Sequence, residues 1–422
     1  MKAVITPRQL HGSVSAIASK SQAHRMLICA AFADAPSRIY CRELSRDIEA
    51  TAECLRALGC RMDRDEENGY FSVTPLKRGI ENRVITIDAG ESGSTLRFLL
   101  PVVCALGQKT RIVMHGRLPE RPLSPLWEEL EAHGAILKKN PDGSVETGGR
   151  LSGTDWQIAA DVSSQFVSGL LFALPLLRRG GTEDGNEAFR RLRLKGRVES
   201  EGYIRMTMNA MKEFGIAAER DGDTILIPEE AVYHSPGEMK VEGDWSNGAF
   251  WICAAAMSEK KLEITGLDPD SAQGDRTVLQ LRDSILGRRT KEETVEVDAK
   301  NVPDLVPVLS VLAASVHGTT VFTHAQRLRI KESDRIRSTV DMLAALGAEA
   351  RETEDGLAVA GTGKLKGGCV DSCNDHRIAM SAAVASIICC GEVTVKGAEA
   401  VQKSYPGFWE DLKALGGKFR IE

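Results

Sequence analysis

The segment Arg327-Leu328-Arg329-Ile330-Lys331-Glu332-Ser333-Asp334-Arg335 packs four cations and two carboxylates into nine residues. Lys331 beside Glu332 offers an ammonium and a carboxylic acid to one reacting centre, the pairing that proton transfer requires. Read only as structure, the segment opens an amphipathic helix, with Ser333 as its cap and Asp334 complementing the helix dipole. Four cations exceed what a cap needs. A second group is Arg117-Leu118-Pro119-Glu120-Arg121-Pro122, where prolines stiffen the loop and hold Arg121 in a fixed pose. A planar guanidinium held so suits a carboxylate or phosphate; by itself the loop also reads as a plain turn. Asp375-His376-Arg377 and Lys403-Ser404-Tyr405-Pro406 add further cations. No Walker loop, dinucleotide fingerprint or HExxH site occurs, so ATP, NAD and zinc are not implied.

These charges need elements to place them. Six helices apolar on nearly all sides are predicted to begin near Lys20, Ser94, Ser163, Asp244, Asp304 and Asp375. Each opens on polar residues such as Ser19-Lys20-Ser21, Glu91-Ser92-Gly93-Ser94, Ser163-Ser164-Gln165 or Asp375-His376-Arg377. Ser, Asp and Asn are ordinary caps there. Capping does not call for Lys20, Arg25, Arg97, Gln165 or Arg377 in the first turns of otherwise buried helices. A cation near a helix N-terminus is disfavoured unless an anion lies between them. Several such ends aimed at one place suit a heavily anionic ligand.

The helices recur. Their starts fall 74, 69, 81, 60 and 71 residues apart. A second series of amphipathic helices ends in Gly59, Gly134, Gly215, Gly287, Gly347 and Gly416, at spacings of 75, 81, 72, 60 and 69, Gly287 being the least clean. Glycine is the natural stop, because the residue after the last turn often takes a left-handed backbone. Between them lie alternating strands such as 111–114, 262–265, 320–323 and 393–395. The expected fold class is α/β (α+β), with a unit of about 70 residues repeated six times.

Composition bounds the rest. The 422 residues carry 54 Lys+Arg against 59 Asp+Glu, a net charge of −5, with 5% aromatics. That argues against nucleic acid or an anionic membrane as partner. The N-terminus has no signal-peptide core, and the longest apolar stretches, near 306–316 and 378–390, fall short of the ~18 residues of a membrane span. The ten cysteines form no CxxC pair and fit no four-ligand metal spacing. They read as free thiols in a cytoplasmic protein.

Taken in order, Ser19-Lys20-Ser21 with Arg25, Gly93 with Arg97, Arg121-Pro122, Ser163-Ser164-Gln165, Gly243-Asp244, Pro303-Asp304, the Arg329–Arg335 motif RxKExDR, Asp375-His376-Arg377 and Lys403-Ser404 form a series. This series resembles the EPSP synthase (3-phosphoshikimate 1-carboxyvinyltransferase) family over essentially the whole chain. The resemblance implies a two-domain enolpyruvyl transferase fold, an inverse α/β-barrel-like arrangement of six βαβαββ units, three per domain. Residues 1–18 with 242–422 would form one domain and 19–241 the other, with helix N-termini facing the cleft between them. It implies transfer of the enolpyruvyl group of phosphoenolpyruvate to the 5-hydroxyl of shikimate 3-phosphate by addition and elimination, on the path to chorismate. No metal or cofactor is implied, and a monomer is expected.

By the same resemblance, Asp304 is the base and Glu332 the proton donor, with Lys20 touching both substrates and His376 a proton-handling neighbour. Shikimate 3-phosphate would be held by Lys20, Ser21, Arg25, Ser163, Ser164, Gln165, Ser200, Tyr203, Asp304 and Lys331. Phosphoenolpyruvate would be held by Lys20, Gly93, Arg97, Arg121, Gln165, Arg335, Arg377 and Lys403. The chain departs from the family where Glu91 replaces the usual Asn and Phe98 the usual Pro. Arg327 stands where some members have a substrate-contacting Asn, and is not counted as a site residue. Two other readings remain open. One is the related UDP-N-acetylglucosamine enolpyruvyl transferase, whose mobile-loop Cys is missing from 117–122 here. The other is a non-catalytic phosphate-sugar binding protein on the same fold.

Overall fold

The computed structural model describes residues 1–76, 83–178, 189–287 and 293–422. The chain divides into two compact units, Lys20–Val241 and Met1–Ser19 with Glu242–Glu422. In the Lys20–Val241 unit, strands Ile85–Asp88 and Thr110–Val113 pair in parallel around the helix Gly93–Leu106. The helix Leu126–Ala132 then leads to the hairpin Ala135–Lys139 and Val145–Gly149, whose second strand pairs antiparallel with Thr110–Val113. The result is βαβαββ with the four-stranded order first, second, fourth, third. The next sheet repeats this with Asp155–Ala159, Phe189–Lys195, Glu219–Asp221 and Thr224–Pro228, around helices Ser164–Ala173 and Glu201–Glu213. The third is closed from the far end of the unit. Glu238–Lys240 supplies the first strand beside Ser37–Tyr40, Tyr70–Thr74 and Arg61–Asp65.

The other unit holds the same device. Strands Thr294–Asp298, Gly318–Thr323, Glu349–Glu352 and Leu357–Gly361 form one complete sheet. A second is completed by the N-terminal strand Lys2–Thr6, which lies between Val393–Lys396 and Lys418–Ile421. The sixth unit differs from expectation. Strand Gly12–Ser15 pairs in parallel with Leu262–Thr265, and helices Trp245–Met257 and Val278–Leu286 are present. Among the described residues no hairpin follows, so this sheet has two strands. The missing pair accounts for the short 60-residue interval. Gly287 there has φ −70°, whereas Gly59, Gly134, Gly215, Gly347 and Gly416 are left-handed.

The core of each unit is its set of apolar helices. Every residue of Val306–Ala314 is buried, as is every residue of His376–Ala385. Each fully buried Val or Leu contributes roughly 1.5–3 kcal/mol, so these helices are fixed by their surroundings rather than by propensity. Gly169 lets two of them touch: a Cβ there would fall 2.2 Å from the Arg97 carbonyl oxygen. The caps follow the sequence. Ser92, Ser163, Asp244 and Asp375 each accept a bond from a first-turn amide. No helix among the described residues is long and apolar enough to cross a membrane. Seven cysteines are buried free thiols, while Cys369, Cys373 and Cys390 are exposed.

Candidate active site

In the Lys20–Val241 unit, the starts of two buried helices interlock. Arg97 Nη1 donates to Gln165 Oε1 at 3.1 Å, and Gln165 Nε2 donates to Ser94 Oγ at 3.0 Å. Ser163 caps the second helix by accepting from the Gln165 amide. Arg97 Nη2 also donates to the Pro122 carbonyl at 3.2 Å, tying the Arg121-Pro122 loop to the same place. The fork of Arg121 and that of Arg97 both lie over Gly93. A Cβ on Gly93 would stand 2.7 Å from Arg97 Nη1 and 2.8 Å from Arg121 Nη1. Gly93, Arg97, Arg121, Ser163, Ser164 and Gln165 thus form one cationic cradle at two helix N-termini, the arrangement that receives an anion.

Lys20 opens its helix and bonds Asp47 Oδ2 at 2.9 Å, both side chains being about 15% exposed (15% and 14%). Asp47 is a partner that sequence reasoning missed, because an acid at a helix start looks like any dipole-complementing carboxylate. Arg25 is placed differently from a freely offered ligand group. It is 2% exposed, with Nε on Thr207 Oγ1 at 2.8 Å, Nη1 on the Ser21 carbonyl at 2.7 Å and Nη2 on the Tyr203 carbonyl at 3.0 Å. It also lies over the Phe98 ring at 5.0 Å. Arg25 therefore binds Ser21 and Tyr203 to each other across two helices. Ser200 precedes the Tyr203 helix in a left-handed conformation, φ 54°. Behind Lys20, buried His24 Nδ1 meets Thr51 Oγ1 at 2.7 Å, and Thr51 meets Thr95 at 2.6 Å. Burial first, then Lys20 and Arg25, hold the His24 pKa well below its ordinary value, so this link is neutral.

The other unit gathers the second group around Asp304. This residue does not cap the helix that follows; it sits in the single 3₁₀ turn Pro303–Leu305. Arg335 Nη1 donates to Asp304 Oδ1 at 2.6 Å, and Arg335 Nη2 donates to Glu332 Oε2 at 2.6 Å. The expected base and the expected acid are thus held on the two prongs of one guanidinium. Arg377 Nη2 reaches Asp304 Oδ2 at 3.2 Å, and Lys331 Nζ lies 3.9 Å from Oδ1. Burial would raise the Asp304 pKa, but Arg377, Lys331 and Arg335 outweigh it and hold the group well below the usual carboxylate range. Burial pushes Lys331 down to about 8, against the pull of Asp304.

Asp375 is the buried anchor of this cluster. Its Oδ2 takes Arg335 Nε at 2.7 Å and Ser333 Oγ at 3.0 Å, while Oδ1 takes the Arg377 amide at 2.9 Å. The charges of Asp375, Glu332 and Asp304 raise the Arg335 pKa despite its burial. Here the sequence reading needs correction. Ser333 is drawn to Asp375, and Asp334 caps the Arg335–Ala345 helix by accepting from the Arg337 amide. Arg329 leaves the cluster for Asp334 and Glu352, and Arg327 donates to the Lys300 carbonyl. His376 is 2% exposed, with Nδ1 3.8 Å from Asp375 Oδ1. Lys403 ends the 3₁₀ segment Ala398–Lys403, before the final helix, and donates to the Asn374 carbonyl at 2.7 Å. Among the described residues, no group of His, Cys, Asp and Glu is arranged to hold a metal ion.

The family model for EPSP synthase (3-phosphoshikimate 1-carboxyvinyltransferase) matches residues 4–412. A 3-phosphoshikimate 1-carboxyvinyltransferase of Clostridium kluyveri is 38% identical over 430 residues, 98% of this chain and 97% of that protein. One from Clostridium perfringens is 37% identical over 436 residues, with both chains covered completely. Among solved structures, an EPSP synthase from Acinetobacter baumannii superposes with a TM-score of 0.78 at 23% identity, covering 100% of each chain. An enolpyruvyl transferase from Streptomyces tendae gives 0.75 at 21%, covering 99% of this chain and 98% of that one. These likenesses carry the fold, and the family match together with the full-length identities carries the assignment: the chain belongs to the EPSP synthase (3-phosphoshikimate 1-carboxyvinyltransferase) family.

Proposed function

We propose that this protein transfers the enolpyruvyl group of phosphoenolpyruvate to the 5-hydroxyl of shikimate 3-phosphate and releases phosphate. The observation that carries this reading is the Arg335 fork, which holds Asp304 and Glu332 side by side at 2.6 Å each. One carboxylate serves as base and the other as acid. In the addition, Asp304 takes the hydroxyl proton, the oxygen attacks the central enol carbon, and Glu332 gives its proton to the methylene carbon. In the elimination, Glu332 takes a methyl proton back, the double bond re-forms, and the leaving phosphate carries away the proton held on Asp304. Atoms and charge balance without a cofactor.

Asp304 starts as a weak base, because both its oxygens are bonded to cations. The carboxylate and phosphate of phosphoenolpyruvate compete for Arg335 and Arg377, loosening those bonds and raising the basicity of Asp304 as the substrate arrives. Lys403 is proposed to join them, with Gly93, Arg97, Arg121 and Gln165 taking other charges of the same substrate. Ser21, Arg25, Ser163, Ser164, Ser200, Tyr203 and Lys331 are proposed for shikimate 3-phosphate, Lys20 for both substrates, and His376 for proton handling beside Asp375. The same reading makes the protein a cytoplasmic monomer acting on free small molecules, with neither nucleic acid nor membrane as partner; its net charge of −5 supports this.

A phosphate-release assay tests the proposal. Release with shikimate 3-phosphate plus phosphoenolpyruvate is expected. Release with UDP-N-acetylglucosamine instead would assign the sister reaction, and binding of both substrates without release would make the protein a binding module.

A further inference from the structure

Below the Lys20–Asp47 ion pair lies a buried chain of side chains that the proposed chemistry does not use. Lys20 and His24 stand one turn apart on the helix Lys20–Ala31, and Asp47 and Thr51 one turn apart on the helix Arg46–Ala57. Two rungs therefore join these helices. The upper is the partly exposed Lys20–Asp47 pair at 2.9 Å. The lower is fully buried, with His24 Nδ1 and Thr51 Oγ1 at 2.7 Å. From Thr51 the chain crosses to a third helix, Gly93–Leu106, where Thr95 Oγ1 lies 2.6 Å away. Thr95 Oγ1 donates to Ser92 Oγ at 2.8 Å, and Ser92 caps that helix by accepting from the Thr95 amide at 3.2 Å. The Asp47 carbonyl, 3.5 Å from Thr95 Oγ1, is a second acceptor for the same hydroxyl.

The bonds run in one sense. A hydroxyl has one proton. Thr95 spends its proton on Ser92 or on the Asp47 carbonyl, so toward Thr51 it can only accept, and Thr51 donates to it. Thr51 then has only a lone pair to offer His24, so Nδ1 carries a proton. A second proton on the ring would set a charge and an unpaired N–H at Nε2, which is buried without a partner. We propose that Thr51 is a positioning residue for the reaction: oriented by the Nδ1–H tautomer of His24, its hydroxyl ties the helices of Lys20, Asp47 and Gly93 in one register, so that Lys20 and the Gly93–Arg97 cradle meet the substrate anions together. This rests on the reading of those groups as substrate ligands. The lower rung matters most when a substrate anion draws Lys20 from Asp47. The upper rung is then broken, and the buried one still holds the helices.

The test compares Thr51→Val, which keeps the shape and removes the hydroxyl, with Thr51→Ser, which keeps the hydroxyl. Ile225→Ala, a core truncation in the strand Thr224–Pro228 of the same unit, serves as control for lost stability alone. In the phosphate-release assay, Thr51→Val should lower kcat/KM for phosphoenolpyruvate by about 5- to 30-fold, the weight of a buried hydrogen bond lost with its partners left unpaired. Thr51→Ser should stay within about threefold of the parent and Ile225→Ala within about twofold, each assayed well below its Tm. A loss in Thr51→Val no greater than in Ile225→Ala, or no recovery in Thr51→Ser, overturns the proposal. Two further arms are independent of turnover. Nitrogen NMR of protein with isotope-labelled histidine should show His24, assigned by the loss of its signal in His24→Asn, as the Nδ1–H tautomer; an Nε2–H tautomer or a doubly protonated ring overturns the proposal. The crystal structure of Thr51→Val without substrates should show Lys20 moved off Asp47 or Arg97 off Gln165. Both contacts kept, at 2.9 and 3.1 Å, refute the inference even if the assigned reaction is wrong. Absence of release by the unaltered protein would instead refute the reaction and leave these two arms to decide the role of Thr51.

Discussion

Replacing Gly93 with alanine adds one methyl group at the most crowded point of the cationic cradle. The new Cβ would stand 2.7 Å from Arg97 Nη1 and 2.8 Å from Arg121 Nη1. Ordinary contact begins near 3.4 Å, so the forks must retreat by about 0.7 and 0.6 Å respectively. Arg97 cannot retreat cheaply, because it is 3% exposed and tied to Gln165 and Pro122. The backbone is no obstacle: Gly93 has no positive φ, and alanine is the better helix former by about 1 kcal/mol. The loss should therefore fall on ligand binding rather than on folding. Displacing one of two charge-assisted bonds costs about 1.5–3 kcal/mol, or roughly 10- to 150-fold in kcat/KM for phosphoenolpyruvate. Steady-state phosphate release, with each substrate varied in turn, measures this beside a thermal melt. A Tm within a degree or two of the parent and a KM for shikimate 3-phosphate changed less than twofold complete the expectation. Unaltered phosphoenolpyruvate kinetics would show that the two forks do not hold that substrate, and the cradle reading would fall.

Asp304→Ala should lower kcat by about 10²–10⁴-fold, the usual weight of a general base, while substrate Kd values from calorimetry shift far less; near-normal turnover would remove Asp304 from that role. Arg121→Ala should weaken phosphoenolpyruvate binding and spare shikimate 3-phosphate, and equal losses for both would contradict the assignment. Lys331, pushed down to about 8, loses its proton as pH rises through that value; kcat/KM should fall on the alkaline side, and Lys331→Arg should move that limb upward if it retains activity. Asp275 is pushed up to about 6 by burial and by Asp304. Its folded pKa lies above its unfolded one, so stability is lost as pH rises from about 4 to about 6. Asp275→Asn should therefore be more stable than the parent at pH 7.5, by ~1–3 kcal/mol, with the gap closing at pH 4, as followed by denaturant unfolding.

Much of this architecture is written locally. The apolar runs at 96–105, 166–177, 305–314 and 378–390 mark buried helices because nothing but burial suits them, and Ser92, Ser163, Asp244 and Asp375 announce their starts. Even the shortened sixth unit is visible as a 60-residue interval. What stays hidden is pairing across distance. Asp375 reads as a cap, and only the fold shows it gripping Arg335, 40 residues away. Ser246 meets Arg377 across 131 residues, and Lys20 meets Asp47 across 27. Ser333 and Asp334 are equally able to cap, and the neighbouring Asp375 decides between them. The sequence motifs therefore name the cations together with Asp304 and Glu332, while Asp375 and Asp47 emerge as holders of Arg335 and Lys20 only from packing.

The strand Lys2–Thr6 has a consequence for how the molecule comes into being. It leaves the ribosome before the Lys20–Val241 unit, yet both its neighbours, Val393–Lys396 and Lys418–Ile421, are made only after that unit. The Lys20–Val241 unit is complete once its own closing strand at 238–240 has emerged. Translation thus releases a finished Lys20–Val241 unit while the strand Lys2–Thr6 waits unpaired, and the other unit can be sealed only once residues 393–421 have been synthesised.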